Sequence, residues 1–172
     1  MVIGDTLFVH GGLTKEFLDS RCSALDDMHQ AVSAWMSGEH DHIDKKKKKN
    51  EPLARVMDAD GPMWTRIFSE PDRREPTDSV GPEVCSLLDD TLRSLPVQGV
   101  RRMVVGHTPQ RAGISEDCGD AWGAAGSVFK VDVGMSAGVF GAEPQVLEIL
   151  VSGAVRVLTA GESHTLPDRQ EL

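Results

Sequence analysis

The chain has 172 residues, 40% of them hydrophobic and 26% charged, with 27 acidic against 18 basic side chains for a net charge of −9. This is enough for one domain with a sizeable core and too little for two; the composition is not that of a disordered chain, and the acidic balance disfavours unspecific binding to nucleic-acid phosphates. No apolar run approaches the roughly 20 residues of a membrane span and no signal-type stretch opens the chain, so an intracellular, cytoplasmic protein with no membrane partner is expected.

In chain order, MVIGDTLFVH at residues 1–10 reads as two short apolar runs turned about Gly4 and Asp5, with Val2 and Ile3 pairing with Leu7, Phe8 and Val9. The continuous LFV run predicts a strand buried on both faces, and Gly11 and Gly12 end it. Between Ser23 and Trp35 an amphipathic helix is expected, with Leu25, Met28, Val32, Trp35 and Met36 on its apolar stripe and Gly38 as its stop. Residues 39–51, EHDHIDKKKKKNE, have no periodicity and predict a solvated insertion loop. Within it His40, His42 and Asp44 make a poorly preorganised site for a stray cation, and Lys45–Lys49 a solvated charge run.

Helical order resumes at Pro52 with Leu53, Val56 and Met57 and leads into GPMWTRIF, after which residues 69–81, rich in Pro, Asp and Arg, predict an exposed connection. Val84, Leu87, Leu88, Leu92 and Leu95 form the stripe of a second helix that starts at Pro82 and ends at Pro96. Arg101 to His107, RRMVVGH, is a short buried strand, Gly113–Gly126 a glycine-rich loop, and Val128–Val133, Gln145–Val151 and Ala154–Thr159 three further strands. Ser152 and Gly153 read as a two-residue hairpin turn, and the tail past Gly161 is expected to fray. Strands and helices mix throughout, which is the pattern of an α/β fold. Cys22, Cys85 and Cys118 are odd in number and lack any CxxC spacing, so thiols rather than a disulfide framework are expected.

Two histidines share one local arrangement, an apolar strand followed by the histidine and a sharp small-residue turn: LFVHGGL at His10 and MVVGHTPQ at His107. In α/β proteins ligand chemistry collects at the C-terminal ends of strands, because a rigid strand aims a side chain into a crevice. Imidazole at such a tip suits a metal, and adjacent glycines admit close backbone approach. A lone histidine near a strand end is more often a hydrogen-bonded structural residue, and the pair of such tips is what favours a metal.

Taken in order, LFVHGGL, AWMSG, DGPMWTR, MVVGHTPQ, VDVGMSAG and PQVLEI resemble the phosphoprotein phosphatase branch of the calcineurin-like metallophosphoesterase superfamily, and within it the Shewanella-like protein phosphatases. The resemblance covers almost the whole chain apart from the lysine loop and the tail. It implies an α/β fold, the C-terminal half of the metallophosphoesterase αββα sandwich with mixed sheets, over residues 1–160, with 39–51 as an insertion and 161–172 as a tail. It implies a metal-dependent phosphomonoesterase of phosphoserine, phosphothreonine or phosphotyrosine in proteins, with two divalent ions (manganese, iron or zinc) and a hydroxide between them. His10 and His107 inherit the role of ligands to one metal. Arg66, in the W-x-R segment, inherits the contact to substrate phosphate, a task that suits its planar fork. Gly11, Gly12, Gly106 and Thr108 shape the turns around the ligands, Asp132 is an outer support or a locally satisfied strand-end aspartate, and Trp64 is a pocket wall or a core side chain.

The family's earlier motifs GDxHG, GDxxDRG and GNHE, which supply the remaining metal ligands, do not occur in this sequence. The expectation is therefore a partial domain that is inactive alone, whose partners are a phosphoprotein substrate and the missing N-terminal half or another protein, and not nucleic acid. The alternative expectation is a noncatalytic interaction module derived from a truncated phosphatase.

Overall fold

The computed structural model describes residues 1–19, 25–39, 52–70, 79–119 and 126–166; the lysine loop and the His40, His42, Asp44 cluster lie outside them. The elements run β1 (Val2–Ile3), β2 (Thr6–Phe8), α1 (Lys15–Asp19), α2 (Leu25–Met36), α3 (Pro52–Val56), α4 (Pro82–Ser94), β3 (Arg102–Val105), β4 (Ser115–Cys118), β5 (Ser127–Lys130), β6 (Val146–Ile149), β7 (Val155–Thr159) and β8 (Glu162–Thr165). They build the α/β architecture expected: a mixed five-stranded sheet in the order β1-β2-β3-β5-β4 and an antiparallel sheet β6-β7-β8.

The centre of the larger sheet is parallel, β2 beside β3 beside β5, and each parallel step needs a long crossover. Helices supply the first of these. α4 opens with Pro82 at its first turn behind Gly81, where the missing amide hydrogen costs nothing. Cys85, Leu88 and Leu92 are buried on one face of it, and they pack with Leu7, Met103, Val105 and Val128 of the sheet and with Phe17 and Leu18 of α1. Thr91, also fully buried, donates to the Leu87 carbonyl at 2.8 Å and accepts the Lys15 amide at 2.9 Å, so a hydroxyl of α4 satisfies one of the free donors at the start of α1.

On the other side Leu147, Val157 and Leu166 of the smaller sheet pack with Ile114, Val131 and Val133. Two polar ties fix this sheet to the larger one: Gln145 Oε1 accepts the Ile114 amide at 2.8 Å, and Arg102 donates to the Gly153 carbonyl at 2.7 Å. A groove of about 850 Å³ runs between them, lined by Phe8, Val104, Ile114, Val146, Leu147 and Ile149 among others.

Several expectations need correction. Residues 113–126 hold a strand, β4, which pairs antiparallel with β5. The chain past Gly161 continues as β8, paired with β7; only residues 167–172 of the expected tail lie outside the described residues. The β6–β7 turn spans Val151, Ser152 and Gly153, since Leu150 still pairs with Ala154, and Gly153 at φ 91° takes the left-handed position of a three-residue loop. The connection 69–81 is buried at both ends, Ser69 fully and Val80 nearly so. The α2 stripe is buried at Met28 and half-buried against the core at Leu25 and Val32, whereas Trp35 and Met36 are exposed. Cys85 and Cys118 form a disulfide that joins α4 to the end of β4, not the separate thiols expected. Such bridges persist in oxidising compartments, so this one lends no support to a cytoplasmic location. Among the described residues no helix is long and apolar enough to cross a membrane.

Candidate active site

β2 and β3 are parallel neighbours with Phe8 opposite Val104, and this register carries past the strands. The Val9 amide bonds the Val104 carbonyl at 3.1 Å and the Gly106 amide the His10 carbonyl at 2.8 Å. Two histidines that lie 97 positions apart in sequence thereby leave adjacent strand tips on the same side. His10 Nε2 and His107 Nδ1 are 3.2 Å apart, with the ring centroids 5.0 Å apart and tilted by 53°.

His107 sits in strained backbone. Its φ is 64°, and the Thr108 amide bonds the Gly106 carbonyl at 2.7 Å, which makes His107 the centre of a tight γ-turn, a rare and costly conformation for a residue with a Cβ. Gly106, by contrast, has ordinary room for a Cβ. Space, not φ, demands glycine at positions 11 and 12: a Cβ on Gly11 would lie 2.6 Å from the Thr65 carbonyl, and one on Gly12 2.8 Å from the Phe68 ring. The two glycines bring the strand tip against the segment 61–68, to which it is hydrogen-bonded through the Pro62 carbonyl.

That segment delivers Trp64 and Arg66. Trp64 is half exposed and stands edge-on to the His107 ring, centroids 5.3 Å apart, so it walls the site and is not a core side chain. Arg66 is exposed and close enough for its charge to act on His107; among the described residues no carboxylate pairs with it. Burial lowers the His107 pKa below the ordinary histidine value, the charges of Arg66 and His10 push the same way, and Asp132 and the Trp64 backbone oppose them. The ring is therefore neutral at neutral pH, the state in which imidazole ligates a metal.

Asp132 otherwise serves its own turn. Its Oδ1 accepts the Gly134 amide at 3.0 Å and its carbonyl accepts the Gln110 amide at 2.7 Å. Thr108 turns its hydroxyl away from the rings to Ser69, Oγ to Oγ 2.7 Å. Ser69 and Gln110 were not singled out by sequence: Ser69 lies at the start of a connection that reads as exposed, and Gln110 is a polar residue in a loop. Their sequence signal is position alone: each stands three residues past a site residue, Ser69 past Arg66 and Gln110 past His107, where it closes the MVVGHTPQ motif.

Two ring nitrogens bound to one tetrahedral cation at about 2.0 Å stand roughly 3.3 Å apart, and the observed 3.2 Å fits that spacing. The buried His107 Nε2 makes no well-formed hydrogen bond among the described residues, with the Trp64 backbone the group near enough to act on it; a ligating histidine ordinarily donates its second N–H. Among the described residues no group of three or more His, Cys, Asp or Glu side chains gathers at this or any other point. The residues present therefore fit two positions of one metal's shell and leave its others to be filled.

Over 97% of its length the chain is 33% identical to Shewanella-like protein phosphatase 2 of Arabidopsis thaliana. The match covers 38% of that protein, so the chain spans less than two fifths of its relative's length. No protein-family model and no solved structure matches the chain.

Proposed function

We propose, from the premise that this chain is kin to the Shewanella-like protein phosphatases, that it forms part of a metal-dependent phosphomonoesterase acting on phosphorylated serine, threonine or tyrosine side chains of proteins. The observation that carries the reading is the 3.2 Å approach of His10 to His107 from neighbouring strand tips, with Arg66 beside them. His10 and His107 would hold one of two divalent cations, manganese, iron or zinc. When bound, such a pair of cations neutralises phosphate charge and makes water a nucleophile at neutral pH.

The chain's own side chains do the rest. Arg66 presents two parallel N–H donors to phosphate oxygens, a geometry lysine does not offer. Trp64 stands edge-on against one side of His107 and limits the room for its ring to turn. Low basicity keeps the His107 ring free of the proton that would compete with a cation.

Two histidines hold a cation weakly, and the described residues gather no group of three or more His, Cys, Asp or Glu donors. The reading therefore includes a partner: the remaining metal ligands come from another part of the phosphatase. The inter-sheet groove, whose described lining is largely apolar, suits that part as a docking surface. A noncatalytic module would use the same groove, and activity separates the two.

The chain alone, supplied with manganese, zinc or iron, is expected not to hydrolyse p-nitrophenyl phosphate above background. Co-expressed with the complementary part of the Arabidopsis relative, it is expected to do so, and His10→Ala or His107→Ala should then lower kcat by about 100-fold, the upper end of what losing even an outer support of a metal ligand costs. Hydrolysis by the lone chain, or indifference of the assembled enzyme to both substitutions, would refute the reading.

A further inference from the structure

We infer that Ser69 and Gln110 are positioning residues that fasten the turn carrying Arg66 to the loop carrying His107; the inference rests on the reading of Arg66 as the phosphate grip. Arg66 opens a tight turn in which its carbonyl accepts the amides of Ser69 and Glu70, each at 2.9 Å, and the Ser69 hydroxyl at 3.3 Å. Ser69 is fully buried, and the same hydroxyl meets Thr108 Oγ1 at 2.7 Å. One hydroxyl thus spans the Arg66 turn and the residue next to His107.

Gln110 makes a second span. Its Nε2 donates to the Ser69 carbonyl at 3.2 Å and to the Thr108 carbonyl at 2.7 Å, while its backbone amide reaches the Asp132 carbonyl beyond the end of β5. One primary amide supplies two N–H donors, and here both are spent on backbone oxygens of different segments. The guanidinium itself is exposed and has many rotamers, so its placement depends on where its backbone is held. A phosphate fork misplaced by about 1 Å loses much of its effect.

The test is a double-mutant cycle in the phosphatase assembled from this chain and its complementary part, with p-nitrophenyl phosphate as the probe. Ser69→Ala and Gln110→Ala are each expected to lower kcat/KM about tenfold when Arg66 is present and by less than about twofold in an Arg66→Ala background, because the clamp then has nothing to position. Equal losses in both backgrounds would mean a general structural role and overturn the inference. If Arg66→Ala alone changes nothing, the phosphate-grip reading fails instead, and the inference with it. Gln110→Glu keeps the side chain's size but turns acceptor oxygens toward two carbonyls, so it should lose at least as much as Gln110→Ala; full activity in that variant also overturns the proposal. Melting temperatures of the variants separate loss of position from loss of fold.

Discussion

The two ends of the β2–β3 pair contrast sharply. At the start of the strands Asp5 accepts from Arg101 at 2.6 Å and from Arg102 at 2.8 Å, its pKa is lowered, and Arg102 spends its remaining reach on the Gly153 carbonyl. Every charge there has a partner. At the far end the same two strands deliver two imidazoles, one of them with a strained backbone, and the segment 61–68 adds an arginine that pairs with no carboxylate among the described residues. A fold that pairs its charges at one end, and at the other leaves an exposed arginine with no carboxylate partner among the described residues, has placed its stability and its chemistry apart.

The largest effect expected is one that spares neither end. Met103 lies in the middle of β3, fully buried against α4 and its neighbouring strands. Met103→Ala leaves a cavity and should cost about 2–5 kcal/mol, measured by urea unfolding. A loss below about 1 kcal/mol would mean that the sheet is not the common frame of the two ends.

The strand tips themselves were legible in sequence because each is a run of apolar residues that stops at small ones, and a buried parallel strand has few other ways to end. What sequence did not carry is that β2 and β3 are neighbours, which is decided by pairing across 97 residues. Nor did it show β4. Ser115–Cys118 reads SEDC, without an apolar period, and is buried by other means: Asp117 pairs with Lys130 at 2.7 Å, both nearly inaccessible, and accepts the Val80 amide, while Cys118 is bridged to Cys85. β8, with its sequence ESHT, escaped for the same reason. Ser69 was hidden by composition, a buried hydroxyl at the head of a Pro- and Arg-rich stretch. The sharp turn at His107 was expected from its small neighbours, but the left-handed backbone of His107 itself gave no signal, since that position is not a glycine. Apolar pattern found the frame, and polar satisfaction, which has no period, was found only in three dimensions.

A smaller effect belongs to the satisfied end. Asp5→Asn removes a charge-assisted pair that is only partly buried, and solvent screening limits the loss to about 1–2 kcal/mol at neutral pH. Burial by itself would raise the Asp5 pKa, but the hydrogen bond from Arg101, the charge of Arg102 and the hydroxyl of Thr6 outweigh it. The folded value thus lies below the unfolded one, so the contribution is complete above about pH 4, where an unfolded aspartate is ionised. It is lost as pH falls through the lower folded value. The stabilities of Asp5→Asn and the parent chain should converge in acid; a gap that persists there would assign the effect to shape and not to charge.

The smallest effect is the most telling for the comparison. His10 is exposed, and among the described residues its ring makes one polar contact, to His107 Nδ1. Its removal opens no cavity and leaves a nitrogen that water can reach from the vacated side. His10→Ala should therefore change the stability of this chain by no more than about 0.5 kcal/mol, the range of an ordinary surface substitution, although the same change is expected to remove the activity of the assembled phosphatase. A residue that fixes the fold loses stability when truncated, and one kept for chemistry does not. If His10→Ala destabilises as much as Asp5→Asn, the paired imidazoles are a structural contact and the two ends of the strands are alike after all.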